Sequence, residues 1–150
     1  VDLNPWKRSG STIVGCPNSP VYMEHHTQKP IAQWLGETMA AIGAATDRPV
    51  RLRWKRDVPE RPLRVDLQEA WIVVAYSSAS AVEALAAGVP VCTLAPWAST
   101  ASMGITSLAD LDTPIYPDIS ERDNFLFNLA ASQWTIAEIE AGQAWRALNP

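Results

Sequence analysis

Apolar positions along this chain gather into short runs parted by polar stretches rich in proline. "TIVGC", Thr12 to Cys16, is a brief continuous apolar run ended by Pro17, the form of a strand buried on both faces. "NSPVYMEHHTQKP" follows without periodicity and reads as a polar loop after a first strand, a place where function often sits. From Ile31 to Thr46 the spacing of Trp34, Leu35, Met39 and Ile42 predicts an amphipathic helix, stopped by Asp47, Arg48 and Pro49. "VRLRW", Val50 to Trp54, alternates apolar and basic, as a strand with one less buried side does, and "KRDVPERP" is a charged loop.

Leu63, Leu67, Ala70 and Trp71 predict a short helix over Leu63 to Trp71, and "IVVAY" a third buried strand. A helix from Ser78 to Ala87 should end at Gly88, and "VPVCTL" supplies a fourth strand. Beyond Leu94 comes a loop with about one helical turn, then a helical C-terminus beginning near Ser120 with Asp123 as its acid. Ser132, Gln133 and Trp134 mark a break in it, and Thr135 with Glu138 has the spacing of a capping box. The stripe of Trp134, Ile136, Ile139 and Trp145 suits a seam folded over the sheet, or a face for a missing domain or a second copy.

Strands alternating with helices predict an α/β fold: a Rossmann-like parallel sheet of about four strands flanked by helices, one domain over residues 1–150. Right-handed crossovers then place every strand's C-terminal end on one edge, where ligands of open sheets bind. The turn Tyr76-Ser77-Ser78, the loop from Pro17 to Pro30, Lys55 with Arg56, and the loop after Leu94 all reach that edge.

Composition narrows the function classes. A net charge of −4 gives no general basic footprint for duplex nucleic acid, although "RPVRLRWKR" is a local basic cluster. Cys16 and Cys92 sit at the ends of apolar runs without zinc spacing, so two buried reduced thiols are expected and no metal site. No apolar run reaches the roughly 18 residues that cross a membrane, and the polar opening "VDLNPWKRSG" is unlike a signal peptide. The expectation is a cytoplasmic protein; a start at Val1 fits either a removed initiator or one part of a longer protein.

The chemistry concentrates where the third strand hands over to a helix. A helix start attracts anions, and Ser77, Ser78 and Ser80 among small alanines would let a phosphate approach and add hydroxyl donors. Glu83, about one and a half turns in, could aim a carboxylate at the two hydroxyls of a ribose. Capping explains the same residues: serines are good N-caps, and Ser80 with Glu83 has capping-box spacing. Neither GxGxxG nor a P-loop is present. His25 or His26 could serve as a base at the same edge or be solvated, and Trp97 could stack on a base or sugar or simply pack.

"SSASAVEALAAGVPV" resembles the donor-nucleotide segment of two-domain glycosyltransferases of the GT-B fold and of the related sugar-nucleotide 2-epimerases. "RPLRVDLQEAWIVVAYSSASAVEALAAGVPV" and "LFNLAASQWTIAEIEAGQAW" resemble, more narrowly, phage- and prophage-encoded proteins of this type. The resemblance implies the C-terminal, donor-binding half of that fold, with a nucleotide-sugar as co-substrate and no further cofactor. It implies Ser77, Ser78 and Ser80 facing the donor phosphates, Glu83 the ribose, and Lys55 a second phosphate contact. The acceptor-binding half has no counterpart in these 150 residues, which implies a further domain or a second copy as partner. Two functions therefore stand: a glycosyltransferase-like protein or domain, and a non-catalytic α/β binding or interaction module.

Overall fold

β1 (Thr12–Cys16), β2 (Val50–Leu52), β3 (Ala70–Ala75) and β4 (Val91–Thr93) form one sheet in the order β2-β1-β3-β4. Every pairing is parallel, with Val14 opposite Arg51 and Val73, and Val74 opposite Cys92. The computed structural model describes residues 3–54 and 61–149, and the helices it shows are α1 (Pro20–Thr27), α2 (Ile31–Ala45), α3 (Leu63–Leu67), α4 (Ala79–Ala86), α5 (Ile119–Ala131), α6 (Ile136–Glu140) and α7 (Gln143–Leu148). The expected fold class, a parallel α/β sheet flanked by helices with a helical C-terminus, is the one observed.

The central strands read as apolar runs because both faces of the sheet are covered. Side chains alternate across a strand, so Val14, Val73, Ala75 and Val91 meet Leu63 and Leu67 of α3, Ala81, Ala84 and Leu85 of α4, and Leu126 of α5. On the other face Ile13, Ile72, Val74 and Cys92 pack with Ile42 of α2 and with Ile105 and Leu111. α4 presents alanine at two of its three buried positions, which lets it lie close on the sheet.

An extended segment, Leu3 to Ser11, straps the first of these layers. The Asn4 and Lys7 N–H groups donate to the carbonyls of Ala86 and Gly88. Trp6 donates from Nε1 to the Pro117 carbonyl at 2.7 Å and meets Tyr116 edge-on. Arg122 of α5, only 1% exposed, donates to the Asn4 carbonyl at 2.7 Å and to the Asp123 carboxylate, with its guanidinium over the Trp6 ring. That set satisfies a buried charge that would otherwise be costly.

Several expectations need correction. The supposed loop from Pro17 to Pro30 holds α1: Ser19 caps it by accepting from the Tyr22 N–H, and Pro20 occupies its first turn, where a missing N–H costs nothing. The helix expected over Leu63 to Trp71 stops at Leu67, and Ala70 and Trp71 open β3 instead, their side chains packing into the sheet layers. Trp71 donates from Nε1 to the Leu111 carbonyl at 2.8 Å and carries the Arg48 guanidinium over its ring. The loop after β4 contains two 3-10 turns, Ser99–Met103 and Leu108–Asp110.

α5 begins one residue before Ser120, with Asp118 at the cap position. The Thr135–Glu138 capping box forms as expected, and Gly142, in the left-handed region at φ 70°, separates α6 from α7. The C-terminal stripe is not a seam on the sheet: Ile136, Ile139 and Trp145 are 56–76% exposed, and Trp134 is half-buried. None of the seven tryptophans is fully buried, so their number reflects partly covered edges rather than a packed interior.

Gly88 joins two of these constraints. It closes α4 at φ 77°, and a Cβ there would run into the Pro5 carbonyl of the strap. Gly88→Ala is therefore expected to cost more than the ~1–2 kcal/mol of a left-handed alanine alone, measured as a drop in equilibrium unfolding free energy in urea.

Candidate functional site

The strand order reverses between β1 and β3, since β2 lies outside one and β4 outside the other. Neighbouring loops at that point leave in opposite directions and open a crevice beyond the strands' C-terminal ends. A cavity of about 600 Å3 occupies this position here. Its walls come from the end of β1 (Cys16, Pro17, Asn18), the start of α1 (Ser19, Tyr22), the chain after β2 (Arg53, Trp54), and the start of α4 (Ser78, Ala79, Ser80, Glu83).

Ser78 is the N-cap of α4: its hydroxyl oxygen accepts from the Ser80 N–H at 3.3 Å, and its hydroxyl donates to the Ser80 Oγ at 3.1 Å. The Ala81 N–H turns back to the Ser78 carbonyl. Among the described residues this leaves the Ala79 N–H, at an exposed position on the cavity wall, without a partner. With the cap at Ser78, Ser80 and Glu83 do not form the capping box their spacing allowed. Glu83 stands exposed on the wall, and no described residue pairs with its carboxylate.

Ser77 is turned elsewhere. Its hydroxyl meets the Tyr22 hydroxyl at 2.8 Å, and its N–H donates to Asn18 Oδ1 at 3.3 Å. These two bonds lash α1 to the turn after β3 and so fix the far wall of the crevice.

Positive charge reaches the site from Arg53. The carboxylate of Asp66 on α3 is 3% exposed, accepts from Arg51 at 3.0 Å and from Arg53 at 2.9 Å, and forms an ion pair with Arg61 at 2.8 Å. Arg51 also reaches Glu69 at 3.1 Å, and the two carboxylates hold its guanidinium in the charged form by raising its pKa. Among the described residues, three guanidiniums against two carboxylates make this cluster net positive. Arg53 alone of the three lines the crevice, and both its contacts to Asp66 and to the Arg61 carbonyl run through Nη1. Its Nε and Nη2 have no partner among the described residues.

Burial pushes the Cys16 thiol up to about 11, with a hydrogen bond from the Ser80 side chain opposing part of that rise. Burial likewise pushes Cys92 up to about 12. Neither is a nucleophile near neutral pH. His26 lies on α1 with its ring between Tyr22 and Trp97, at 4.2 and 5.3 Å, and Trp97 meets Tyr76 edge-on. Among the described residues no cluster of three or more His, Cys, Asp or Glu side chains could hold a metal ion, and no helix is long and apolar enough to cross a membrane.

Of the residues singled out from the sequence, Ser78, Ser80 and Glu83 share the crevice wall. Ser77 instead braces α1, and Lys55 lies outside the described residues. Asn18, Ser19, Tyr22 and Arg53 complete the site. The sequence signal for the first three was the Ser19-Pro20 pair, a cap followed by a first-turn proline, which marks a helix start. Comparison with protein-family models, with curated proteins and with solved structures finds no match.

Two outcomes test this arrangement. Asp66→Asn should lower the unfolding free energy by about 2–3 kcal/mol in urea denaturation. That is below the cost of breaking a fully buried pair, because the arginines reach solvent. The raised thiols mean that the unfolded chain loses those protons first. Stability through them is therefore full below about pH 9 and declines as pH rises toward 11 and 12. Unfolding measured from pH 8 to 11 should show this decline, with a shallower slope in the Cys16→Ala/Cys92→Ala double variant.

Proposed function

We propose that the chain binds a nucleotide-diphosphate sugar in the crevice between β1 and β3, as a glycosyltransferase-like protein or domain. The observation that carries this reading is the meeting of three different groups on one cavity at the reversal of strand order. The start of α4, with the Ala79 N–H and the Ser78 and Ser80 hydroxyls, suits a diphosphate. Arg53 adds a guanidinium, which matches phosphate geometry better than a lysine does. Glu83 has no capping duty and can accept two hydrogen bonds from the ribose hydroxyls.

The resemblance of "SSASAVEALAAGVPV" to the donor segment of GT-B glycosyltransferases supports the same assignment. In such a site the diphosphate is the leaving group of sugar transfer, and donors already aimed at it stabilise the charge it gains. Phage or prophage origin, and a cytoplasmic setting in the bacterial host, follow from the narrower resemblance and belong to this proposal. So does a partner domain, or second copy, supplying the acceptor side.

A second reading, a non-catalytic interaction module, is favoured by the uncovered apolar stripe of Ile136, Ile139, Trp145 and Leu148.

A thermal-shift series with UDP, GDP, CMP and their sugar conjugates separates the two. Ligand at about a hundred times its Kd should add roughly 2.7 kcal/mol, several degrees of Tm. The shift for one base should be reduced at least tenfold in apparent affinity by Glu83→Gln, and likewise by Arg53→Ala. Ser80→Ala should have a smaller effect, since its hydroxyl is one donor among several. A folded sample that no nucleotide stabilises would retire the nucleotide reading and favour the interaction module.

A further inference from the structure

A second cavity, of about 810 Å3, lies on the flank of α4 that faces α5. One wall is formed by Ala79, Val82 and Ala86 of α4, the other by Leu126, Leu129 and Ala130 of α5. On each helix these positions fall on one face, and the α4 set runs two turns, about 10 Å. Alanine at 79, 86 and 130 leaves open the space between the helices that longer side chains would fill. The result is a largely apolar slot between the two helices.

One end of the slot is polar and adjoins the crevice. Tyr22, Ser78, Ala79 and Glu83 line both cavities, and the Ser77 hydroxyl joins the Tyr22 hydroxyl there. Trp97, 57% exposed, stands at the same mouth, held between His26 and Tyr76. The groups at this mouth are neutral hydroxyls and one carboxylate. The crevice has Arg53 to offset Glu83, but no Lys or Arg is among the described residues lining this cavity. An anionic head group here would therefore meet Glu83 as an uncompensated like charge, whereas a hydroxylated neutral head would find both donors and acceptors.

We propose that this slot binds the aliphatic chain of an uncharged amphiphile whose hydroxylated head lies at Tyr22, Ser77, Ser78 and Glu83. The head would then sit beside whatever fills the crevice, so the two ligands would share the start of α4. This goes beyond the nucleotide reading: the walls that would hold the aliphatic chain, Val82, Ala86, Leu126, Leu129 and Ala130, do not line the crevice, and only the polar mouth is shared with it.

Calorimetric titration with hexyl, heptyl and octyl β-glucoside, each below its micelle concentration, tests it. Kd should fall about fourfold with each added methylene, the effect of burying one such group. Octanoate, with a chain of similar length and an anionic head, should bind at least tenfold more weakly than octyl glucoside. Ala130→Phe and Val82→Phe fill the slot from opposite helices, and each should abolish the dependence on chain length while leaving any nucleotide shift unchanged.

Affinities that do not vary with chain length would overturn the proposal, as would a dependence that survives in both filled variants. Equal binding of octanoate would overturn the uncharged head. Alkyl glucosides that bind while no nucleotide does would retire the nucleotide reading and keep this one; nucleotide binding with indifferent glucosides would do the reverse.

Discussion

The buried carboxylate of Asp66 is the interaction on which the candidate site depends. It sits on a helix of only five residues, α3, too short to hold itself together by backbone hydrogen bonds alone. Arg51 and Arg53, on and just after β2, and Arg61, just before α3, converge on it. The carboxylate thereby pins the edge strand β2 to the helix that follows it. It also leaves Arg53 at the wall of the crevice, held through Nη1 among the described residues. An isolated arginine at that position would lose several rotatable bonds on meeting a ligand; one already fixed by Asp66 loses less. The same contact thus serves the fold and prepares the site.

The second constraint is the strap from Leu3 to Ser11. It lies across the close of α4 and ties α5 to the sheet layer through Arg122 and Trp6. Because the Asn4 and Lys7 N–H groups hold the Ala86 and Gly88 carbonyls, α4 is fixed at its C-terminal end by the strap, and at its N-terminal end by the Ser78 cap and the Asn18 and Tyr22 contacts to Ser77. A helix held at both ends keeps its flanks in place, and those flanks are the walls of the two cavities.

What the sequence made legible follows from which forces are local. The strands β1, β3 and β4 were visible because a sheet covered on both faces demands continuous apolar runs, and the Thr135–Glu138 box because capping is settled within four residues. α1 was missed because its apolar positions show no helical period: it buries only Met23, and its other faces meet solvent or the aromatic rim. The boundary at Leu67 was missed because Leu63, Leu67, Ala70 and Trp71 keep helical spacing although tertiary pairing with β1 claims the last two for a strand. At the site, Ser78, Ser80 and Glu83 were legible from the turn itself. Arg53 was read only as one charge of a basic stretch, since its meaning depends on a carboxylate thirteen residues away in sequence.

α4 shows why one short segment can carry both a packing role and a candidate binding role. Ala81, Ala84 and Leu85 face the sheet, and the small volume of the two alanines sets the helix close to β3 and β4. On the outward side Ala79, Val82 and Ala86 leave room toward α5, while Ser80 and Glu83 face the crevice. Alanine favours the helix intrinsically, so the segment needs no large apolar flank to remain helical. A leucine at 79 or 86 would preserve the helix and close part of the slot; a leucine at 81 or 84 would push the helix off the sheet. The alanines therefore answer to different demands on the two sides, and only those on the outward side leave space that the fold itself does not require.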